Sequence, residues 1–168
     1  SYVVVRRETA AAGLLDALLM VPYVVPGVVL AIGFLLCFQY GAFDLIGTST
    51  IIVLMLFVRR LPYGVRATSA VLRQIKPSIE EAAVNLGASP LQAFARVTVP
   101  LMLPGVIAGA MMSFITAINE LSATLLLYTA RTTTMPVRIY SAVLDGEFGI
   151  AAALAALRIR SVNAGRLI

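Results

Sequence analysis

The stretch "IEEAAVNLGASPLQAFARVTVPLMLPG", Ile79 to Gly105, interrupts a chain that is otherwise mostly apolar. Its first half sets polar and charged residues at helical spacing around a glycine. Its second half turns oily again. Lys76-Pro77-Ser78 breaks what precedes it, and Ser78 with Glu81 three residues later has the spacing of a capping box. In that device the hydroxyl accepts one orphan amide and the carboxylate reaches back to the cap's own N–H. A helix is therefore expected through "IEEAAVNL", stopping near Gly87, because glycine accepts the left-handed conformation at a helix C-terminus. Ser89-Pro90-Leu91-Gln92 repeats the pattern, with Ser89 as cap, Pro90 at the first helical position and Gln92 at the box position. The second helix carries Leu91, Phe94 and Ala95 on one side and Gln92 and Arg96 on the other, then meets Pro100 and Pro104. The expectation is helix, glycine turn, helix, over about 78–100.

The surroundings decide what such a hairpin is for. Of 168 residues, 60% are hydrophobic and 12% charged, with mean hydropathy +0.96, against roughly 45–50% apolar and about 25% charged in a soluble domain. The reading is an all-α, polytopic transmembrane helical bundle forming a single domain over 1–168, with room for four or so spans of about 20 residues each. There is no histidine, and the single cysteine, Cys37, lies in an apolar run. That inventory excludes a Cys/His zinc site, a Cys/His nucleophile and a disulfide framework. No cofactor, metal or catalytic residue is expected. The net charge of +5 suits nucleic acid in a soluble protein, but suits the cytoplasmic face of a membrane here. A DNA-reading helix-turn-helix is disfavoured, since the second helix offers only Arg96 where a phosphate-binding surface wants several cations.

Charge-free residues from about Leu18 to Tyr40 form the first expected span, bent in its first half by Pro22, Pro26 and Gly27. The bend reads either as a plain kink or as part of a pathway. Thr50–Val58 spans only if its helix continues through "LPYGVRATSAVL" with Arg59 and Arg60 facing protein, water or an interface. A long span is expected from about Leu103 to Tyr128, interrupted by Asn119 and Glu120. "TARTTTMP" then makes a polar loop, and "VRIYSAVLDGEFG" an interfacial or pore-side segment. Arg6 and Arg7 inside, Asp44 outside, the basic segment Arg59–Arg96 inside and "TARTTTMP" outside give an alternating topology, with Arg131 and Arg138 as mild exceptions.

At this point the quoted stretch resembles the EAA motif of the permease subunits of ABC-type importers. Glu81-Ala82-Ala83 match Glu-Ala-Ala, Gly87 follows after three residues, and Val97-Thr98-Val99-Pro100 follow after nine where the pattern has Ile-x-Leu-Pro. Valine twice replaces the larger aliphatic residue. "VPYVVPGVVLAIGFLL", "RRLPYGVRATSAVLRQIKPSIEEAA" and "NELSATLLL" extend the likeness, over about Arg6 to Leu157, to the branch that includes ferric-iron importers. The resemblance implies the type I importer transmembrane fold in a bacterial inner membrane. It implies a coupling hairpin, with Glu81, Ala82, Ala83, Gly87 and Pro100 docking an ABC ATPase subunit. It also implies a second permease half, an extracytoplasmic substrate-binding protein and a small substrate, with iron(III) the first choice. For Glu81 a cap that only stabilises its own helix stands beside direct contact.

Asn119 and Glu120, with Ser122 and Thr124, are the candidates for lining the translocation pathway, because an ionisable group at membrane depth is a functional-site hypothesis by default. A hydrogen bond locking helices together and a position at the interface stand beside that reading. A secondary, ion-coupled transporter would favour more intramembrane acids than Glu120, and a structural membrane protein would need neither pathway nor hairpin. "FGIAAALAAL", Phe148 to Leu157, is short for a span and ends in "RIRSVNAGRLI". The expectation is a divergent tail over 158–168 and a chain that is a fragment, half of a fused permease, or shifted in frame near Leu157.

Overall fold

The computed structural model describes residues 2–6, 9–39 and 45–164, and every regular element among them is helical. Arg7, Tyr40, Asp44 and the tail residues 165–168, on which the sequence reading placed a boundary charge, a span end, an outer turn and a divergent end, lie outside the described residues. By its internal contacts the chain divides into two compact units, 1–21 with 61–113 and 22–60 with 114–168.

The first unit contains α1 (Tyr2–Arg6), most of α2 (Ala10–Val24) and the C-terminal part of α4 (Ser49–Gln74). It also holds α5 (Pro77–Asn85), α6 (Pro90–Ala93), a π turn (Phe94–Thr98) and most of α7 (Val99–Ile118). Leu72, Ile75 and Met102 form its buried cluster, with Tyr2, Val5 and Val71 packed against them. α4 and α7 come into backbone contact here. A Cβ on Gly109 would stand 2.9 Å from the Cα of Gly64 and 3.2 Å from the Cβ of Ala67. Gly105 and Gly109, four residues apart on α7, permit this approach, which gives membrane helices dispersion contacts that lipid does not displace.

Helix α5 starts earlier than the capping-box reading expects. Lys76 occupies the N-cap position, Pro77 is the first helical residue, and no side chain caps the end. Proline fixes φ near the helical value and lacks the amide that a cap would satisfy, so it takes the first helical position and moves Ser78 inside the helix. The Ser78–Glu81 box does not form. The second box does: Gln92 N donates to Ser89 Oγ at 3.3 Å, and Ser89 N donates to Gln92 Oε1 at 3.0 Å.

The helix that begins at Pro90 does not stop before the next span. It passes through the π turn into α7 and runs unbroken to Ile118, 29 residues in all. In the π turn Val99 N donates to Phe94 O, the wider register of such turns. The widened loop lies just before Pro100, whose ring would clash with the carbonyl four residues back in a regular helix. Both prolines therefore sit inside one rod. Among the described residues Pro90–Ile118 is the one helix long and apolar enough by itself to cross a membrane, and α2 with the following helix makes a second if the broken pair is taken as one.

The second unit contains α3 (Gly27–Gln39), the N-terminal part of α4, the end of α7, α8 (Thr124–Leu127), α9 (Met135–Leu144) and α10 (Phe148–Ala164). Its core is Ala31, Ile51, Ile52, Met55, Ala123 and Leu127, lined by Leu30, Phe34, Leu35 and Phe38 of α3. The expected span from Leu18 to Tyr40 is two helices, because Pro26 has no amide and keeps Val25 out of the helical region. Pro22 is held within α2. The Thr50 run does continue past Arg59 and Arg60, as one helix of 26 residues. The span expected to reach Tyr128 ends instead at Ile118, and Asn119 to Ala123 form the turn before α8. "VRIYSAVL" belongs to α9, which packs on α10. α10 runs past Leu157 through Arg158 and Arg160, since arginines are good helix formers with long stems that cover apolar surface.

Candidate functional site

Two regions hold the residues that the sequence singles out. The first is the hairpin of α5 and α6. Gly87 has φ +94°, a value that residues with a Cβ adopt only with strain. Around it Ala88 N donates to Ala83 O at 3.1 Å and Gly87 N to Val84 O at 2.9 Å. This pair of bonds is the Schellman ending, which satisfies carbonyls that the helix end orphans. Glu81 and Ala82 are exposed, Ala83 is half-buried, and Gly87 is exposed at the turn. Leu86 is 90% exposed and Leu91 75% exposed, on either side of that glycine. Pro100, also exposed, lies apart from these four, beyond α6 and the π turn.

The carboxylate that the hairpin uses for its own fixing is Glu80. Its Oε2 accepts the Tyr2 hydroxyl at 2.8 Å, and its Oε1 faces Arg6 Nη2 at 3.3 Å. The same guanidinium nitrogen donates to Ile75 O at 2.9 Å, and the Tyr2 ring meets Phe94 edge-on at 4.8 Å between centroids. Sequence reasoning passed over Glu80. The available signal was a charge in the first turn of α5 with a Tyr and an Arg four residues apart on one face of α1.

The second region is centred on Glu120. Its Oε2 lies 3.1 Å from Arg59 Nε and 2.7 Å from Arg60 Nη2, and its Oε1 accepts from Ser122 Oγ at 2.7 Å and Ala123 N at 3.2 Å. The two guanidiniums also reach backbone: Arg59 Nη1 donates to Val25 O at 3.2 Å, and Arg60 Nη2 donates to Thr116 O at 2.8 Å. Val25 O is free for this because the helix breaks at Pro26. Two positive charges share one carboxylate, and the carbonyls and the serine add polar contacts of the kind a buried cluster needs, while the buried Arg59 Nε faces the carboxylate as an ion pair without a hydrogen bond. Arg59 and Arg60 thus face protein. A Cβ on Gly27 would stand 2.6 Å from Ser122 Oγ and 3.1 Å from Arg59 Nη1, so this glycine makes room for the cluster.

Of the four residues picked for a pathway, Glu120 and Thr124 are buried and Asn119 and Ser122 are exposed. Thr124 Oγ1 donates to Glu120 O at 2.8 Å. Asn119 Nδ2 donates to Ile115 O at 2.6 Å, and its Oδ1 accepts from Arg158. Glu120 and Thr124 line a cavity of about 320 Å³ with Thr134 and Ser161. Asn119 lines a different one, about 400 Å³, with Arg158 and Asn163. Ser122 lines neither and serves Glu120. Among the described residues no group of three or more acids or cysteines is arranged to hold a metal ion.

Residues 2–159 match the family described as binding-protein-dependent transport system inner membrane component, and the chain belongs to that family. Its class is therefore an inner-membrane transport subunit with the helical fold of ABC importer permeases. The chain is 33% identical over 159 residues to the ferric transport system permease protein FbpB of Actinobacillus pleuropneumoniae, covering 95% of this chain and 23% of that one. It is 31% identical over 137 residues to the Fe(3+)-transport system permease protein FbpB 2 of Haemophilus influenzae, covering 82% and 27%. It is 36% identical over 134 residues to the sulfate transport system permease protein CysT of Salmonella typhimurium, covering 73% and 48%. The chain thus spans between about a quarter and a half of the length of these relatives.

Proposed function

We propose that the chain forms part of the membrane pathway of an ATP-driven importer and that the α5–α6 hairpin docks a partner ABC ATPase subunit, which hydrolyses the ATP. A second permease half and an extracytoplasmic binding protein complete the assembly, and 1–168 acts within it as one permease domain. The observation that carries this reading is the hairpin tip, where Leu86 and Leu91 stand exposed on either side of a glycine held at positive φ. An apolar tip kept out of the core, beside a backbone that admits close approach, fits a protein groove. Glu81, Ala82 and Ala83 lie next to that tip, with Pro100 at the far end of the surface.

A small substrate passes through, and iron(III) is the first to test because two of the relatives carry ferric transport in their names. Asn119, Glu120, Ser122 and Thr124 belong to the pathway side of the second unit in this reading, supported by the cavities that Asn119, Glu120 and Thr124 line. The three hydrogen-bond donors and the Arg59 ion pair around Glu120 favour a second role as a lock between α4 and the turn before α8. The test is co-purification of the full-length, detergent-solubilised protein with its ATPase. Gly87→Asp is expected to abolish it, and an ATPase retained equally well after deletion of the hairpin overturns the reading.

A further inference from the structure

We propose that Tyr2, Arg6 and Glu80 form a latch that sets the pose of the hairpin, and that the hairpin's movement reaches α1 through Glu80. The inference rests on the ATPase-docking reading above. Its starting point is that α5 contributes no buried residue. A helix without a buried face has no core packing to fix its rotation, so its orientation depends on its neighbours at α6 and the π turn and on polar contacts. Those polar contacts converge on α1. Both oxygens of Glu80 are engaged, one by the Tyr2 hydroxyl and one by Arg6.

Arg6 and Tyr2 are in turn tied to the helices on either side of the hairpin. The Arg6 guanidinium bridges from Glu80 to Ile75 O, just past the end of α4. The Tyr2 ring packs on Phe94, where α6 passes into the π turn. Tyr2 and Val5 also rest on Leu72, Ile75 and Met102. One short helix therefore touches the last residues before the hairpin, the hairpin and the first residues after it. The Arg6 and Glu80 side chains are 16% and 18% exposed, sheltered enough for the pair to hold its geometry and wet enough for it to open. Glu81, the next residue, faces away into solvent. The two adjacent glutamates thus divide the work, Glu80 positioning the hairpin and Glu81 standing on its outer face.

The experiment is ATP hydrolysis by the full-length permease assembled with its ATPase in lipid nanodiscs, comparing Glu80→Ala, Tyr2→Phe, the double variant and, as a control, Glu147→Gln, an exposed glutamate of the second unit. Tyr2→Phe keeps the ring on Phe94 and removes only the hydroxyl, so it folds even where Glu80→Ala does not. Each latch variant is expected to lower kcat roughly fivefold while KM for ATP stays within about twofold. The double variant is expected to be no worse than Glu80→Ala alone, since both changes cut one connection. Additive losses, an unchanged kcat in Tyr2→Phe, or an equal loss in Glu147→Gln overturn the latch. A wild-type permease that binds no ATPase overturns the docking reading and the latch with it.

Discussion

Glu80 and Glu120 are both held by arginine, yet they sit in opposite settings. Glu120 is buried, accepts three hydrogen bonds, pairs with two guanidiniums and anchors the turn before α8 to α4. Glu80 is partly exposed, has two partners, and holds a hairpin whose first helix buries nothing. A buried carboxylate with two guanidiniums has no neutral alternative nearby, so removing it strands charge. The Arg6–Glu80 pair keeps part of its surface in water, so solvent takes up some of what its loss leaves unpaired and the cost is smaller. The difference teaches where rigidity is placed in this protein: a fixed knot in the second unit, and a lightly fastened hairpin in the first.

The comparison can be broken at graded points. Glu120→Ala is expected to have the largest effect, about 3 kcal/mol of stability, because it leaves Arg59 and Arg60 without a carboxylate. Thermal unfolding of the full-length protein in detergent measures it, and a loss below about 1 kcal/mol would place this cluster in the same class as Glu80. Gly27→Ala tests whether the knot is also tightly packed. Its new methyl would meet Ser122 Oγ at 2.6 Å, an overpacking expected to cost about 1.5 kcal/mol by the same assay. In the hairpin, Ser89→Ala removes the one formed capping box and is expected to cost about 1 kcal/mol, read as faster amide exchange over α6 with the rest of the chain unchanged. Glu81→Gln should alter stability by less than about 0.5 kcal/mol, since its side chain is exposed, and a larger loss would show that Glu81 does hold its own helix.

How much of this was legible varies residue by residue. The second capping box was, because Ser89 and Gln92 are three residues apart and every atom involved is local. Gly87 was legible for the same reason. The Ser78–Glu81 box has identical spacing and failed, since Pro77 competes one residue earlier for the helix start. Pro100 and Pro104 promised a break and gave none, because a π turn absorbed the missing register. The sequence leaves Arg59 and Arg60 facing protein, water or an interface, and only the fold pairs them with a carboxylate some sixty positions later in the chain. Glu80 carried no distinctive signal beside Glu81, and only the approach of α1 selects it.

The sequence by itself determined the apolar helical class, the glycine turn between two short helices and the EAA spacing, all of which depend on composition or on neighbours within a few residues. The tertiary structure decided which glutamate anchors the hairpin, which charges are neutralised and where the long helices break. Those outcomes depend on partners distant in sequence, and an ion pair or an orphaned carbonyl is satisfied by whatever the fold brings within hydrogen-bonding distance.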